Sequence, residues 1–258
     1  MLGAHLLLIL DNVNKLELIW QENLDTLPDF FHVIITTREN PNNFPYIESE
    51  PVERLDEAES LELLNDLRPF GSDENEIDAA HRIVQWLNGF TLAVELTGAY
   101  LARKPDVTYQ YHYNHLTTVH SAIFQVMADK TGRLARHSAV TVAAALESTL
   151  SALSDNARKA LDYASLMVPD TVALGWLPEL LGLDEDKGED VIDELIGYSL
   201  LAPMEREPNI ARIHSLVADT VKEIIPKEDF VKIVADIYEK CRALLDKDET
   251  FWYASENV

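Results

Sequence analysis

Apolar residues change their spacing about fifty positions into the chain. Leu6-Leu7-Leu8-Ile9-Leu10 is an unbroken apolar run closed by Asp11-Asn12. His32-Val33-Ile34-Ile35-Thr36-Thr37-Arg38 is a second run, rich in β-branched residues and followed by Asn40, Pro41, Asn42 and Asn43. Runs that do not alternate fit strands buried on both faces, as in a parallel sheet. Leu16 to Leu27 between them can supply the crossover helix. The start of the chain therefore predicts one βαβ unit, and there the sheet signal stops.

From Asp56 onward the period is helical. Asp56-Glu57-Ala58-Glu59 is a capping box ahead of Leu61, Leu63, Leu64 and Leu67. A second helix is expected over Ser72 to Asn88, with Ile77, Ala80, Ile83, Val84 and Leu87 on one face and Gly89 as its C-cap. A third is expected over Leu92 to Ala102. A less regular helical stretch runs from Tyr109 to about His137. Ser138 to Leu153 and Asn156 to Met167 follow, the second capped by Ser154 or Asp155. The acidic run Asp184 to Glu194 reads as a loop leading into a helix over Val191 to Ile196. Ser199 to Met204 and Ile210 to His214 then predict a hairpin around a turn at Arg206-Glu207-Pro208-Asn209. A helix over Ser215 to Ile225 follows, and helices ending in a hairpin suggest a winged helix. After Pro226, Phe230, Ile233, Val234, Ile237, Tyr238, Cys241, Leu244 and Leu245 form one apolar stripe at helical spacing.

Composition narrows the function classes. The 258 residues carry 21 Lys plus Arg against 45 Asp plus Glu, a formal charge of −24. Phosphate contact is driven by clustered cations, so nucleic acid and anionic membrane surfaces are not the expected partners. A single cysteine, Cys241, excludes an intrachain disulfide and points to a reducing cytoplasm. No apolar run approaches the roughly 18 residues of a membrane span, and no basic segment precedes an apolar one as in a signal peptide. Nine glycines and a 47% hydrophobic content fit a folded, helix-rich protein of two or three small domains.

Several clusters carry no chemistry by spacing. His112, His115 and His120 match no zinc pattern and have no nearby Cys, so they read as solvated or capping residues. The Tyr109, Tyr111, Tyr113 alternation reads as local packing. The acidic run does not fit a calcium-binding loop. Cys241 lies on the apolar stripe and reads as core.

Four segments carry more. Leu6 to Val13 delivers one carboxylate, Asp11, at the end of an apolar strand. Val33 to Arg38 ends a strand in Thr-Thr-Arg. Leu87-Asn88-Gly89-Phe90-Thr91-Leu92-Ala93 joins a helix end to a new helix start. Arg212-Ile213-His214-Ser215 ends a strand in a histidine. In this order they resemble the later motifs of the NB-ARC group of signalling ATPases, part of the STAND class of P-loop NTPases. The likeness is greatest to bacterial members that carry helical repeats, and it spans about residues 5 to 226.

The resemblance implies a mostly α protein with a small α/β remnant: a partial P-loop NTPase sheet, a helical lid domain and a winged-helix domain. The corresponding spans are 1–50, 51–138, 139–226 and a C-terminal helical start at 227–258. It implies a nucleotide-dependent switch in regulatory or defence signal transduction, controlled by ADP and ATP with Mg²⁺. Asp11 would hold the Mg²⁺. Asn12 stands where many ATPases place a Glu that activates water, and an amide cannot act as a base, so rapid hydrolysis is not expected. Arg38 would read the γ-phosphate position. Gly89 and Thr91 match the family's Gly-Leu-Pro-Leu-Ala motif, with Thr91 in place of the proline and able to cap the next helix. His214 would bond the β-phosphate of ADP, beside Ser215 where an aspartate is common.

One motif is missing. No G-x-x-x-x-G-K-[ST] occurs in the sequence, and that loop cradles phosphates with backbone N–H groups and a lysine. The sequence is thus expected to be the rear part of a larger protein, or one half of a split gene, and to bind no nucleotide tightly alone. The family's phosphate-loop strand would flank Val33 to Thr37. Its absence predicts an open strand edge, and with it self-association or poor order in residues 1–50. The alternative is a non-enzymatic module that binds protein partners through its winged helix and helices.

Overall fold

The computed structural model describes residues 5–13, 15–17, 24, 27–28, 30–37, 48–119, 137–168 and 171–255. The chain divides into two units, residues 1–53 and 54–258. In the first, β1 (Leu6–Val13) and β2 (Phe31–Thr37) pair in parallel, from Leu6 opposite Phe31 to Leu10 opposite Ile35. A bulge follows before Val13 meets Thr37. The parallel pair matches the sequence reading, but burial on both faces does not. Ile9 is 60% exposed and Ile34 52%. A sheet of two strands offers too little neighbouring surface to cover both faces. The expected crossover helix lies mostly outside the described residues, as does Arg38.

The second unit opens with α1 (Glu57–Leu67), α2 (Glu74–Leu87) and α3 (Thr91–Arg103). The Asp56 carboxylate accepts from Glu59 N at 2.8 Å, and Glu59 accepts from Asp56 N at 2.9 Å, closing the capping box. Residues 109–119 form the next helix, α4. Arg68 clasps the connection before it, donating to the carbonyls of Val107 at 2.5 Å and Pro105 at 3.3 Å. Its guanidinium lies over the Tyr109 ring, whose hydroxyl donates to the Arg68 carbonyl at 2.5 Å.

Next come α5 (His137–Ala152), α6 (Asp155–Leu166), β3 (Val172–Ala173), α7 (Trp176–Leu181) and α8 (Glu185–Gly197). The chain then forms β4 (Ala202–Met204), β5 (Glu207–Arg212), α9 (Ser215–Ile224) and α10 (Lys227–Ser255). The three strands make an antiparallel sheet in the order β3-β5-β4. One apolar core runs from Leu64, Ile83 and Leu96 through Leu146 and Leu161 to Leu195, Ile213 and Val221. The described residues are thus mostly helical with little sheet. Among them no helix is long and apolar enough to cross a membrane.

Several expected boundaries move. The acidic run is helix, not loop. Asp184 caps α8 by accepting from Lys187 N at 3.0 Å, and Glu185 and Asp186 occupy its first turn. Anions there complement the partial positive charge of a helix N-terminus. Gly188 lets α8 approach α7, since a Cβ would sit 2.8 Å from the Pro178 ring. The hairpin turn falls earlier than expected, so Pro208 and Asn209 belong to β5. The two-residue β3 was not foreseen. Of the long stretch from Tyr109 to His137, residues 109–119 are helical and 120–136 lie outside the described residues.

Candidate functional site

The strongest sequence-derived candidate in the first unit is Asp11, and the structure gives it a neighbour across the sheet. Parallel pairing sets the ends of β1 and β2 side by side. There the Thr36 hydroxyl donates to the Asp11 carboxylate, and Thr37 Oγ1 donates to the Val13 carbonyl at 2.7 Å. Asp11 is exposed. An exposed carboxylate oriented by a hydroxyl is a hard oxygen site, the donor type Mg²⁺ prefers. The backbone of Asn12 lies in β1, but its side chain is outside the described set. Among the described residues no three His, Cys, Asp or Glu side chains converge as a metal cluster.

The other candidates lie in the second unit. Gly89 and Thr91 sit in the tight connection from α2 to α3. Asn88 is the C-cap of α2 at φ 53, and Gly89 follows at φ +66. The sequence reading placed the cap on Gly89 itself. Two successive left-handed residues let α3 begin almost at once. Thr91 is the first residue of α3 rather than its cap. Phe90 takes the N-cap position without a side-chain bond. The hydroxyl was expected to cap, but the chain turns one residue earlier. The Gly89 carbonyl accepts from Leu55 N at 3.1 Å, and Arg54 donates to the Asn88 carbonyl at 3.2 Å.

His214 stands at the junction of β5 and α9. It is exposed, and its Nδ1 accepts from Leu216 N at 3.1 Å, making it the N-cap of α9. That bond fixes the tautomer, because an accepting nitrogen carries no proton. His214→Ala should therefore cost about 1 kcal/mol in a chemical melt, the usual worth of a cap. An unchanged midpoint would show that the cap contributes nothing.

Sequence reasoning misplaced one histidine. His112 is only 1% exposed, not solvated, and stacks on the Tyr100 ring at 5.0 Å between centroids. Its Nε2 has no hydrogen-bond partner. Burial pushes its pKa down to about 3, with His115 and Arg68 adding to the effect. The signal was available, since Tyr109, His112 and Leu116 share one helix face by spacing and all three are buried. One turn on, His115 Nε2 meets Glu147 of α5 at 2.9 Å. Nearby, Arg103 of α3 lies over the Tyr198 ring at 4.9 Å. His120 lies outside the described residues. Of the alternating tyrosines, Tyr109 is buried, Tyr113 packs under Arg82 at 5.0 Å, and Tyr111 faces solvent.

No family model matches the chain, and no curated protein matches it significantly.

Proposed function

We propose that the chain is part of a nucleotide-controlled signalling switch of the STAND class. Residues 1–50 would belong to its nucleotide-binding domain, 51–138 to a helical lid and 139–226 to a winged helix. The observation that carries this reading is the parallel β1–β2 pair, which brings the Asp11 carboxylate and the Thr36 hydroxyl together at the strand ends. Helices followed by a three-stranded antiparallel sheet and α9 support the winged-helix part.

A bound Mg²⁺ would supply charge neutralisation on a nucleotide's phosphates. Asp11 would hold it, and Thr36 would orient that carboxylate. Arg38, Gly89, Thr91 and His214 are the positions that would meet ADP or ATP. Asn12 offers no base, so the chain's role is to switch rather than to turn over substrate. The setting is a cytoplasm, and the partners are proteins or further copies of the switch rather than nucleic acid or membrane.

The test begins with the coding DNA immediately upstream of Met1. An in-frame phosphate loop there supports the switch. The extended protein should then bind Mg·ADP with micromolar affinity by calorimetry. Asp11→Asn should remove the Mg²⁺ dependence, and His214→Ala should weaken ADP by roughly tenfold, the loss of one charge-assisted bond. Upstream DNA without that loop, together with no nucleotide binding, defeats the reading. It would leave the second one, a protein-interaction module that works through the winged helix and helices.

A further inference from the structure

We propose that the outer face of α10 is a docking surface for an amphipathic helix with acidic flanks, carried by a partner protein. This inference stands apart from the nucleotide reading.

The helix has an apolar arc too wide for its own packing. On the inner side, Ile233 is buried and Ile237 packs against the core. Tyr163 Oη donates to Asp236 at 2.5 Å, and Lys240 pairs with Glu179, so α10 is tied to α6 and α7. On the outer side, Phe230, Val231, Val234 and Tyr238 remain exposed, Val231 at 67% and Tyr238 at 64%. At 3.6 residues per turn these four share a face with the spacing that a helical partner reads. They are anchored from behind, so the face is presented on a fixed platform.

The charges on this face choose the partner. Over residues 227–243, the half of the helix centred on Val234 carries two charged side chains, Lys227 and Arg242. Both are cations, and both are exposed. Arg242 makes one loose contact, with Glu239 at 3.8 Å. The anions Glu228, Asp229, Asp236 and Glu239 fall on the opposite half. In a chain with 45 acidic and 21 basic residues, an apolar stripe with cations alone at its ends is distinctive. Charge complementarity at an interface rim sets partner choice more than affinity.

A second copy of the chain fits this face poorly when the two apolar stripes overlap fully. An antiparallel pair centred on Val234 and Ala235 sets Lys227 of one copy against Arg242 of the other. A parallel pair in register sets Lys227 against Lys227. Either arrangement places like charges together, a penalty that acts against the pairing.

The test uses the full chain and two designed helical peptides of about 20 residues, at about 0.15 M salt. Both carry Leu at i, i+3, i+4 and i+7; one is flanked by Glu and the other by Lys. The Glu-flanked peptide should bind at least roughly tenfold more tightly. The double variant Lys227→Glu with Arg242→Glu should abolish or invert that preference. Val234→Asp with Tyr238→Ser should weaken binding of the Glu peptide by roughly tenfold or more. All four positions are exposed, and thermal melts will show that the variants stay folded. Equal affinity for the two peptides overturns the proposal, as does no binding of either. A dimer that Val234→Asp converts to monomer in sedimentation also overturns it, making the face a self-interface.

Discussion

At pH 4 the His112→Phe variant should outlast the parent protein. Phenylalanine keeps the ring stacked on Tyr100 and removes the buried Nε2 that has no partner. The imidazole's folded pKa is about 3, against an ordinary 6.5. The unfolded chain therefore takes up the proton first. The stability tied to the neutral ring is complete above about pH 6.5 and drains away as the pH falls toward 3. Between pH 7 and pH 4 the loss is roughly 3 kcal/mol. For a protein of this size that is about 6–12 °C in Tm. Melts of both proteins at the two pH values isolate this contribution, because the carboxylates they share titrate alike. If both lose stability in parallel, the buried histidine is not the acid-labile group.

Gly89→Ala should be the most damaging single-methyl addition in the connection between α2 and α3. Its φ of +66 is a conformation that L side chains resist. A Cβ there would also strike the Leu55 carbonyl, a backbone atom that cannot rotate aside. Leu55 is itself held by donating to the Gly89 carbonyl at 3.1 Å. Left-handed strain and the clash together should cost about 2–4 kcal/mol. Gly71 is the control. It has a φ of +73, but a Cβ there would meet open space. Gly71→Ala should therefore show only the strain, about 1–2 kcal/mol. Equal losses at the two sites, measured by urea titration, would mean that the Leu55 contact yields without cost.

What the sequence revealed follows from how local each signal is. The cap on Asp56 was legible because a cap is a bond within three or four residues; for α6 the sequence left Ser154 or Asp155, and Ser154 takes the role by accepting from Ala157 N at 3.2 Å. The parallel pairing of Leu6–Leu10 with Phe31–Ile35 was legible because both runs are short, apolar and do not alternate, although the burial on both faces that this pattern implies is not found. Other features depend on partners far along the chain. The acidic run from Asp184 is helix rather than loop, and its seat against α7 depends on Gly188, where a Cβ would sit 2.8 Å from Pro178. Val172 and Ala173 become a strand because β5 passes beside them. His112 is buried because it shares a helix face with Tyr109 and Leu116, which the spacing of the histidines alone does not show. Of the candidate site, the strand-end carboxylate was legible, while its Thr36 partner needed the register of the sheet. Asn12's side chain and Arg38 lie outside the described residues.

The Arg68 clasp has a consequence for how the first four helices of the second unit hold together. Its two donated bonds and the returning Tyr109 bond join positions about forty residues apart. They close a ring of non-covalent links around α2 and α3. A cut through the exposed turn at Gly71-Ser72 would break the covalent path from α1 to α2, yet α1 would stay attached to the start of α4. Nicked protein would then run as an intact particle in its native state and separate into two pieces only in denaturant.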